Sequence, residues 1–459
     1  MLGSLALEAI EKQRKKLENL SYKIWENPEG PYEERKACKW SAQILEESGF
    51  DVEIGVAGIP TAVKASWGSG HPVIGFLGEY DALPDLSQKV TTEEDPIKAG
   101  EYGHGCGHNL LGVACIGAVI GMKEEMTKSN LKGTIIYYGC PAEEVLTGKA
   151  FMVRGGAFDC LDMCIAYHPG RVNSIGFTGI CSISSKFHFK GIKAHASGDP
   201  YNGRSALDAV ELTNVGANYL REHVKTDVRI HYATIDGGKV PNIVPDKACV
   251  WYYVRAPKPD MVKEVYSRLL DVARGAALMT GTTFIEESLG GCYNALNNEF
   301  LGKIMYDTLA EIPQEELTPE ETSFAAKLND NDKVQTQANR KEYNMPDDRA
   351  VFTGILPMQQ SSGYGSSDIG DVQHIVPGVF LRTVCCNIGA TGHSWQITAC
   401  SGHSIGQKGM IRASKVMALF GLKVLSEPSI YIEAKKEFDS EIADEKYICM
   451  LPENATIPN

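Results

Sequence analysis

No stretch of the 459-residue chain approaches the ~20 consecutive apolar residues that a membrane-spanning helix requires. The opening MLGSLALEAIEKQRKKLENL runs into an amphipathic helix instead of a cleavage site, so a cytoplasmic protein with no membrane role is expected. Basic charge is in short supply as well. Lys and Arg number 45 against 58 Asp and Glu, a formal net charge of −13 with no basic run, which repels a phosphate backbone and excludes a nucleic-acid partner. Cysteine occurs 13 times, an odd number without the regular spacing of a secreted disulfide framework, so buried apolar thiols are expected, Cys106 apart. Repeats and low-complexity tracts are absent too.

The composition that remains, 43% apolar and 22% charged, is that of a globular protein, and the length predicts two or three domains. Leu7, Ile10, Leu17, Leu20 and Ile24 recur at helical spacing, and Ala37, Trp40, Ile44 and Leu45 mark a second helix. Short apolar runs at Ala62–Trp67, Val73–Leu77, Thr134–Tyr138 and Met163–Tyr167 read as strands, with a helix near Leu110–Met126 between the second and third. Such alternation predicts an α/β fold with a mostly parallel sheet. From Ser182 to Ser288 the rhythm changes to strand, helix, strand, strand, helix, strand, the order of an α+β ferredoxin-like module. The expected organisation is therefore one domain in two parts, 1–181 and 290–459, with a separate domain inserted over 182–289. Gly237-Gly238 fits a tight turn between strands, Glu311–Asp348 reads as a surface excursion, a helix is expected over Gln407–Leu425, and the tail after Pro428 as polar wrapping.

Ligands in open α/β sheets bind beyond the carboxyl ends of strands, which directs attention to three places. Glu79 and Asp81 follow the second strand in GEYDALP, Glu143 and Glu144 follow the third in GCPAEE, and His168 follows the fourth. Between them GHGCGHN carries Cys106 and His108 on a glycine-rich loop, a thiolate and imidazole pair that suits zinc, with manganese tolerated once carboxylates join. Adjacent Glu143 and Glu144 can divide labour, one binding metal while the other acts as general base; a solvated acidic pair at a helix start is the plainer alternative. GHSIG at 402–406 spells the serine-hydrolase elbow around Ser404, but no histidine follows His403, so that match is expected to be accidental.

GEYDALP, GHGCGH, PAEE, His168, GIKAHAS and GGKVPNIVPD together resemble the M20 metallopeptidase and amidohydrolase family in its branch with a cysteine ligand, over nearly the whole chain. The resemblance implies a hydrolase of amide bonds in N-acyl amino acids or dipeptides, with 1–181 and 290–459 as the catalytic domain, 182–289 as an inserted lid or dimerisation domain, and two divalent ions, Mn2+ or Zn2+, in each protomer. It implies that Cys106 bridges the ions and that His108, Glu144 and His168 bind them, with a last ligand from His393 in TGHSW or, failing that, His403. Glu143 would be the base and Asp81 would orient a ligand imidazole, with His104 either supporting that shell or lying exposed on its loop. His195, Asn242 and Arg255 would surround the substrate, His195 reaching across from a partner chain, which implies a homodimer or a heteromer with a related chain. This sequence departs from the general branch at Glu79 and Asn109, where aspartates are usual; Asp368 is expected to line the site and His374 to be structural.

Overall fold

A computed structural model describes residues 2–345, 348–358, 365–443 and 445–458. In chain order its strands are β1 Asp51–Ile54, β2 Val63–Ser69, β3 Val73–Glu79, β4 Gly133–Cys140, β5 Met163–Gly170, β6 Ser174–Ile175, β7 Cys181–Lys190, β8 Arg229–Asp236, β9 Lys247–Ala256, β10 Thr283–Cys292 and β11 Gly378–Val384. Seven of them form one sheet in the order β1-β2-β4-β3-β5-β11-β6. Its centre, β4-β3-β5-β11, is parallel, whereas β1, β2 and β6 close the edges antiparallel. β1, β6 and β11 were not anticipated from the sequence.

The central strands are apolar on both faces, as a sheet covered on both sides requires. Ile74, Phe76, Ile135, Tyr137, Ile165 and Leu381 point toward helices Ser4–Trp25, His108–Ser129 and Ser404–Ser426. The alternate residues Val73, Leu77, Ile136, Tyr138, Ala166 and Phe380 face helices Gly148–Arg154 and Ile369–Gln373. Helix His108–Ser129 is buried almost throughout, and its Gly112 lies against the end of β3, where a Cβ would come within 2.6 Å of the Glu79 carbonyl oxygen. That close approach sets the depth of the helix relative to the strand end. Among the described residues no helix is long and apolar enough to cross a membrane.

The remaining strands make a second sheet in the order β10-β7-β9-β8, antiparallel throughout, backed by helices Ala206–Leu220 and Pro259–Thr280 with their own core. This is the expected βαββαβ arrangement. Three local expectations fail. The glycine pair 237–238 makes no tight turn, because residues 237–246 separate β8 from β9. Glu311–Asp348 is not a plain excursion: it holds helices Pro319–Asn331 and Lys333–Glu342, the first started by a capping box between Thr318 and Glu321. Ala325 and Leu328 bury the inner side of that helix, although its charged outer side dominates the composition. The tail is not merely polar either, since Ile430, Ala434 and Phe438 recur every fourth residue and bury one face of helix Ser429–Glu441. Beyond it, Tyr447 donates to Asp371 at 2.8 Å and Leu451 is buried.

Alanine is the better helix former by ~1 kcal/mol, yet Gly112→Ala is expected to destabilise the protein by about 1–3 kcal/mol through overpacking. Denaturant unfolding measures this, and a gain in stability would contradict the packing argument.

Candidate metal centre

Three strand ends and one loop deliver the polar groups. Gly107 takes φ 80°, a left-handed conformation that costs glycine little, and so turns the loop directly into helix His108–Ser129 with Cys106 and His108 on either side of the bend. β4 ends at Cys140, and Ala142 follows at φ 58°, a strained conformation for a residue with a side chain. The buried Glu34 carboxylate holds that strained turn by accepting from the Ala142 N–H at 2.8 Å and from Thr61 at 2.9 Å. Glu143 and Glu144 are aimed inward as a result.

His108 is fully buried, and its Nδ1 donates to Asp81 at 2.8 Å. Asp81 also accepts from the Glu144 N–H at 2.9 Å. Burial works against the charge on Asp81, but His108 and that N–H outweigh it and hold its pKa below the ordinary value. With Nδ1 engaged, Nε2 of His108 faces the centre of the cluster without a hydrogen-bond partner. It lies 3.8 Å from Glu144 Oε1, which is itself buried and unpartnered, and 3.9 Å from Glu143. His168 repeats the pattern: its Nδ1 donates to the Pro169 carbonyl at 2.7 Å, leaving Nε2 3.2 Å from Cys106 Sγ. His393 places Nε2 3.6 Å from the other oxygen of Glu144.

These atoms form overlapping groups in which every donor lies within 4.8 Å of the rest: Cys106 with His108 and His168, Cys106 with Glu144 and His393, and Glu79 with His108 and Glu143. A set of sulfur, nitrogen and oxygen donors in which His108 Nε2, Glu79 Oε2 and Glu144 Oε1 are buried without hydrogen-bond partners fits a divalent transition ion. The charge balance fits it too. The side chains of Glu79, Asp81, Glu143, Glu144 and Asp368 are all buried against the single buried ammonium of Lys149. Burial, then Glu79 and Glu144, push the Glu143 carboxyl well above its ordinary value, and Glu144 is pushed up to about 7 mainly by burial, with Asp81 and Glu79 adding to it. A cation relieves that crowding.

His403 stands apart from this cluster. It caps helix Ser404–Ser426 through Nδ1 and stacks on Phe324 at 4.0 Å between ring centroids. Ser404 donates to Glu321 at 2.5 Å and faces no histidine base, so the serine-hydrolase reading fails. His104 is buried, not exposed on its loop, and His374 packs on Tyr293. Arg255 reaches the cleft beside the cluster, a space of about 500 Å³ also lined by Glu143, His168, Tyr253, Tyr343 and His393. His195 and Asn242 do not line it. They are exposed, at two neighbouring loops of the second domain joined by the Ala196 N–H to Asn242 O bond of 3.0 Å.

Comparison with known proteins supplies the context. The model of the peptidase dimerisation domain of M20 proteins matches residues 175–278. The chain is 37% identical to one of the two named subunits of the p-aminobenzoyl-glutamate hydrolase of Escherichia coli K12, over 98% of this chain and 97% of that one. The chain belongs to the M20 peptidase family, whose members are hydrolases of amide bonds. It is also 29% identical to the mouse Xaa-Arg dipeptidase, over 98% of this chain and 94% of that one. A solved Bacillus subtilis structure, described as a dinuclear metal binding peptidase from the M20 family, shares the fold at a TM-score of 0.59 and 17% identity, over 91% of this chain and 99% of that one.

One element of this M20 centre was invisible in the sequence. Lys149, fully buried, places Nζ 2.6 Å from both Glu79 and Asp368, and its backbone N–H donates to Asp368 at 2.8 Å. Burial opposes its charge, but Asp368 and then Glu79 hold its pKa well above the ordinary value. Glu79 in turn lies 3.4 Å from His108 Nε2. The only hint was a lone lysine in the otherwise apolar run GKAFMV. Lys149→Met leaves two buried carboxylates unpaired and is expected to cost about 3–5 kcal/mol of stability, partly restored by adding Glu79→Gln and Asp368→Asn. Thermal denaturation reads the difference, and an unchanged single variant would contradict the pairing. Asp81→Asn is expected to weaken Zn2+ or Mn2+ binding by about 10–100-fold while the fold persists; calorimetric titration showing wild-type affinity would remove Asp81 from that role.

Proposed function

We propose that the protein is a metal-dependent amidohydrolase that cleaves N-acyl amino acids, with p-aminobenzoyl-glutamate split to p-aminobenzoate and glutamate as the best substrate. The observation that carries the metal reading is the presence of Cys106 in two separate donor triads, which is what a thiolate shared between two ions requires. Cys106, His108, Glu144, His168 and His393 hold the ions, either Mn2+ or Zn2+. Such ions supply Lewis-acid polarisation of the amide carbonyl and lower the pKa of water from ~15.7 to about 7.

The chain's own groups do the rest. Glu143, buried and crowded by carboxylates, takes a proton from the attacking water and delivers it to the leaving nitrogen. Asp81 keeps the His108 ring in one tautomer and one orientation. Arg255, whose Nη1 lies 3.3 Å from Ser366 Oγ, binds a substrate carboxylate from the lid side. His195 and Asn242, exposed and away from the chain's own cleft, serve the cleft of a second protomer, where His195 donates to the developing oxyanion.

The Escherichia coli hydrolase is named for two different subunits, both similar to this chain, which favours a second chain of related fold as that partner over a second copy. All 13 cysteines are free thiols, in keeping with a reducing cytoplasm.

Turnover of a panel of p-aminobenzoyl-glutamate, other N-acyl amino acids and dipeptides by Mn2+- or Zn2+-loaded protein, alone and with a partner chain of the other hydrolase type, tests the activity. No hydrolysis of any member under either condition would refute it. Glu143→Gln is expected to keep its metal and lose about 10²–10⁴-fold in kcat; near wild-type turnover would remove the assigned base.

A further inference from the structure

Beyond the metal cluster the cleft wall carries two more guanidinium groups, Arg171 and Arg382. Arg382 stands on β11 in register with His168 on β5, so it is the neighbour of a metal-binding imidazole across the sheet. Its guanidinium lies over the rings of Phe177 and Phe380, 5.9 and 5.4 Å from their centroids. Those aromatic faces attract the charge but leave the N–H donors around its rim unmet. Among the described residues no carboxylate lies within ion-pair distance of Arg382 or Arg171. Among the described residues Arg171 donates only to the Ala390 carbonyl. Of the carboxylates that line the same cleft, Glu143 and Glu144 lie at the metal end, and Glu342 is exposed without pairing to either arginine. Burial, and then the like charge of Arg171, hold the Arg382 pKa below its ordinary value.

Two half-buried guanidiniums on one cleft wall, with no carboxylate partner among the described residues, are costly and are relieved by one planar anion that takes bidentate hydrogen bonds from them. Arg255 already approaches the cleft from the other sheet, so the site has room for a second carboxylate distinct from the one Arg255 meets. We propose that Arg171 and Arg382 form a carboxylate subsite that reads the side chain of the leaving amino acid, making N-acyl derivatives of glutamate or aspartate the preferred substrates. This rests on the hydrolase reading above and adds the acidic side chain as the specificity determinant. A leaving arginine, the residue named for the mouse relative, would meet two like charges here.

The test compares N-benzoyl-glutamate with its neutral isostere N-benzoyl-glutamine. Binding is measured by calorimetry on metal-loaded Glu143→Gln protein, and turnover on metal-loaded protein with Glu143 intact, alone and with the partner chain. Glutamate is expected to bind at least about tenfold tighter than glutamine, and Arg382→Met or, independently, Arg171→Gln to bring the ratio close to one. A ratio near one in the parent, or a ratio that survives both substitutions, overturns the subsite. The two arms separate the claims: hydrolysis of both compounds without discrimination refutes the subsite alone, whereas selective binding of glutamate with no hydrolysis, either alone or with the partner chain, refutes the hydrolase reading alone. An N-benzoyl-arginine bound as tightly as glutamate would also overturn the proposal.

Discussion

Everything near the strand ends answers to one electrostatic constraint, the burial of five carboxylates and a thiol in a space where a single buried ammonium stands against them. Repulsion at such range in a poorly solvated interior is severe. The fold meets part of it internally. Lys149 pairs with both Glu79 and Asp368 from behind and offsets one of their two charges, and His108 with a backbone N–H keeps Asp81 charged. What is left unpaired is Glu143, Glu144 and Cys106, whose pKa values burial pushes up and whose ionised forms bound divalent ions would stabilise.

The scaffold explains how so much charge is brought together. Parallel strands β3, β4 and β5 end at one edge of the sheet, and each passes directly into a segment carrying a carboxylate or an imidazole. Helix His108–Ser129, fixed in depth by the Gly112 approach to Glu79, fills the space behind and supplies His108 at its first residue. The strained Ala142, tied to Glu34, turns the two glutamates toward it. Packing of the apolar layers therefore sets distances within the polar cluster.

The convergence of these residues was legible because Glu143, Glu144 and His168 lie at strand ends, while Cys106 and His108 pair a thiol with an imidazole on a glycine-rich loop between those strands. Lys149 and Glu34 were not, because a lone charged residue beside a helix start looks like a solvated one until tertiary contacts bury it. Arg382 lies on β11, a strand that was itself overlooked, so its place opposite His168 had no signal in the sequence. Helix Lys333–Glu342, with Tyr343 just past its end on the cleft wall, was hidden by average polarity, since only part of each turn is buried. The second domain was easier to read because its alternation of strands and helices is regular. The exposed positions of His195 and Asn242 follow from their place on outward-facing loops of that domain.

The claim on which the rest turns is that Cys106 is shared between two bound ions. Elemental analysis of dialysed protein after loading with Zn2+ or Mn2+ tests it directly. Two equivalents per chain in the native protein, with neither retained when Cys106 is replaced by serine, is the result this account predicts. No stoichiometric metal in the native protein, or full retention of both equivalents without the thiol, would contradict it.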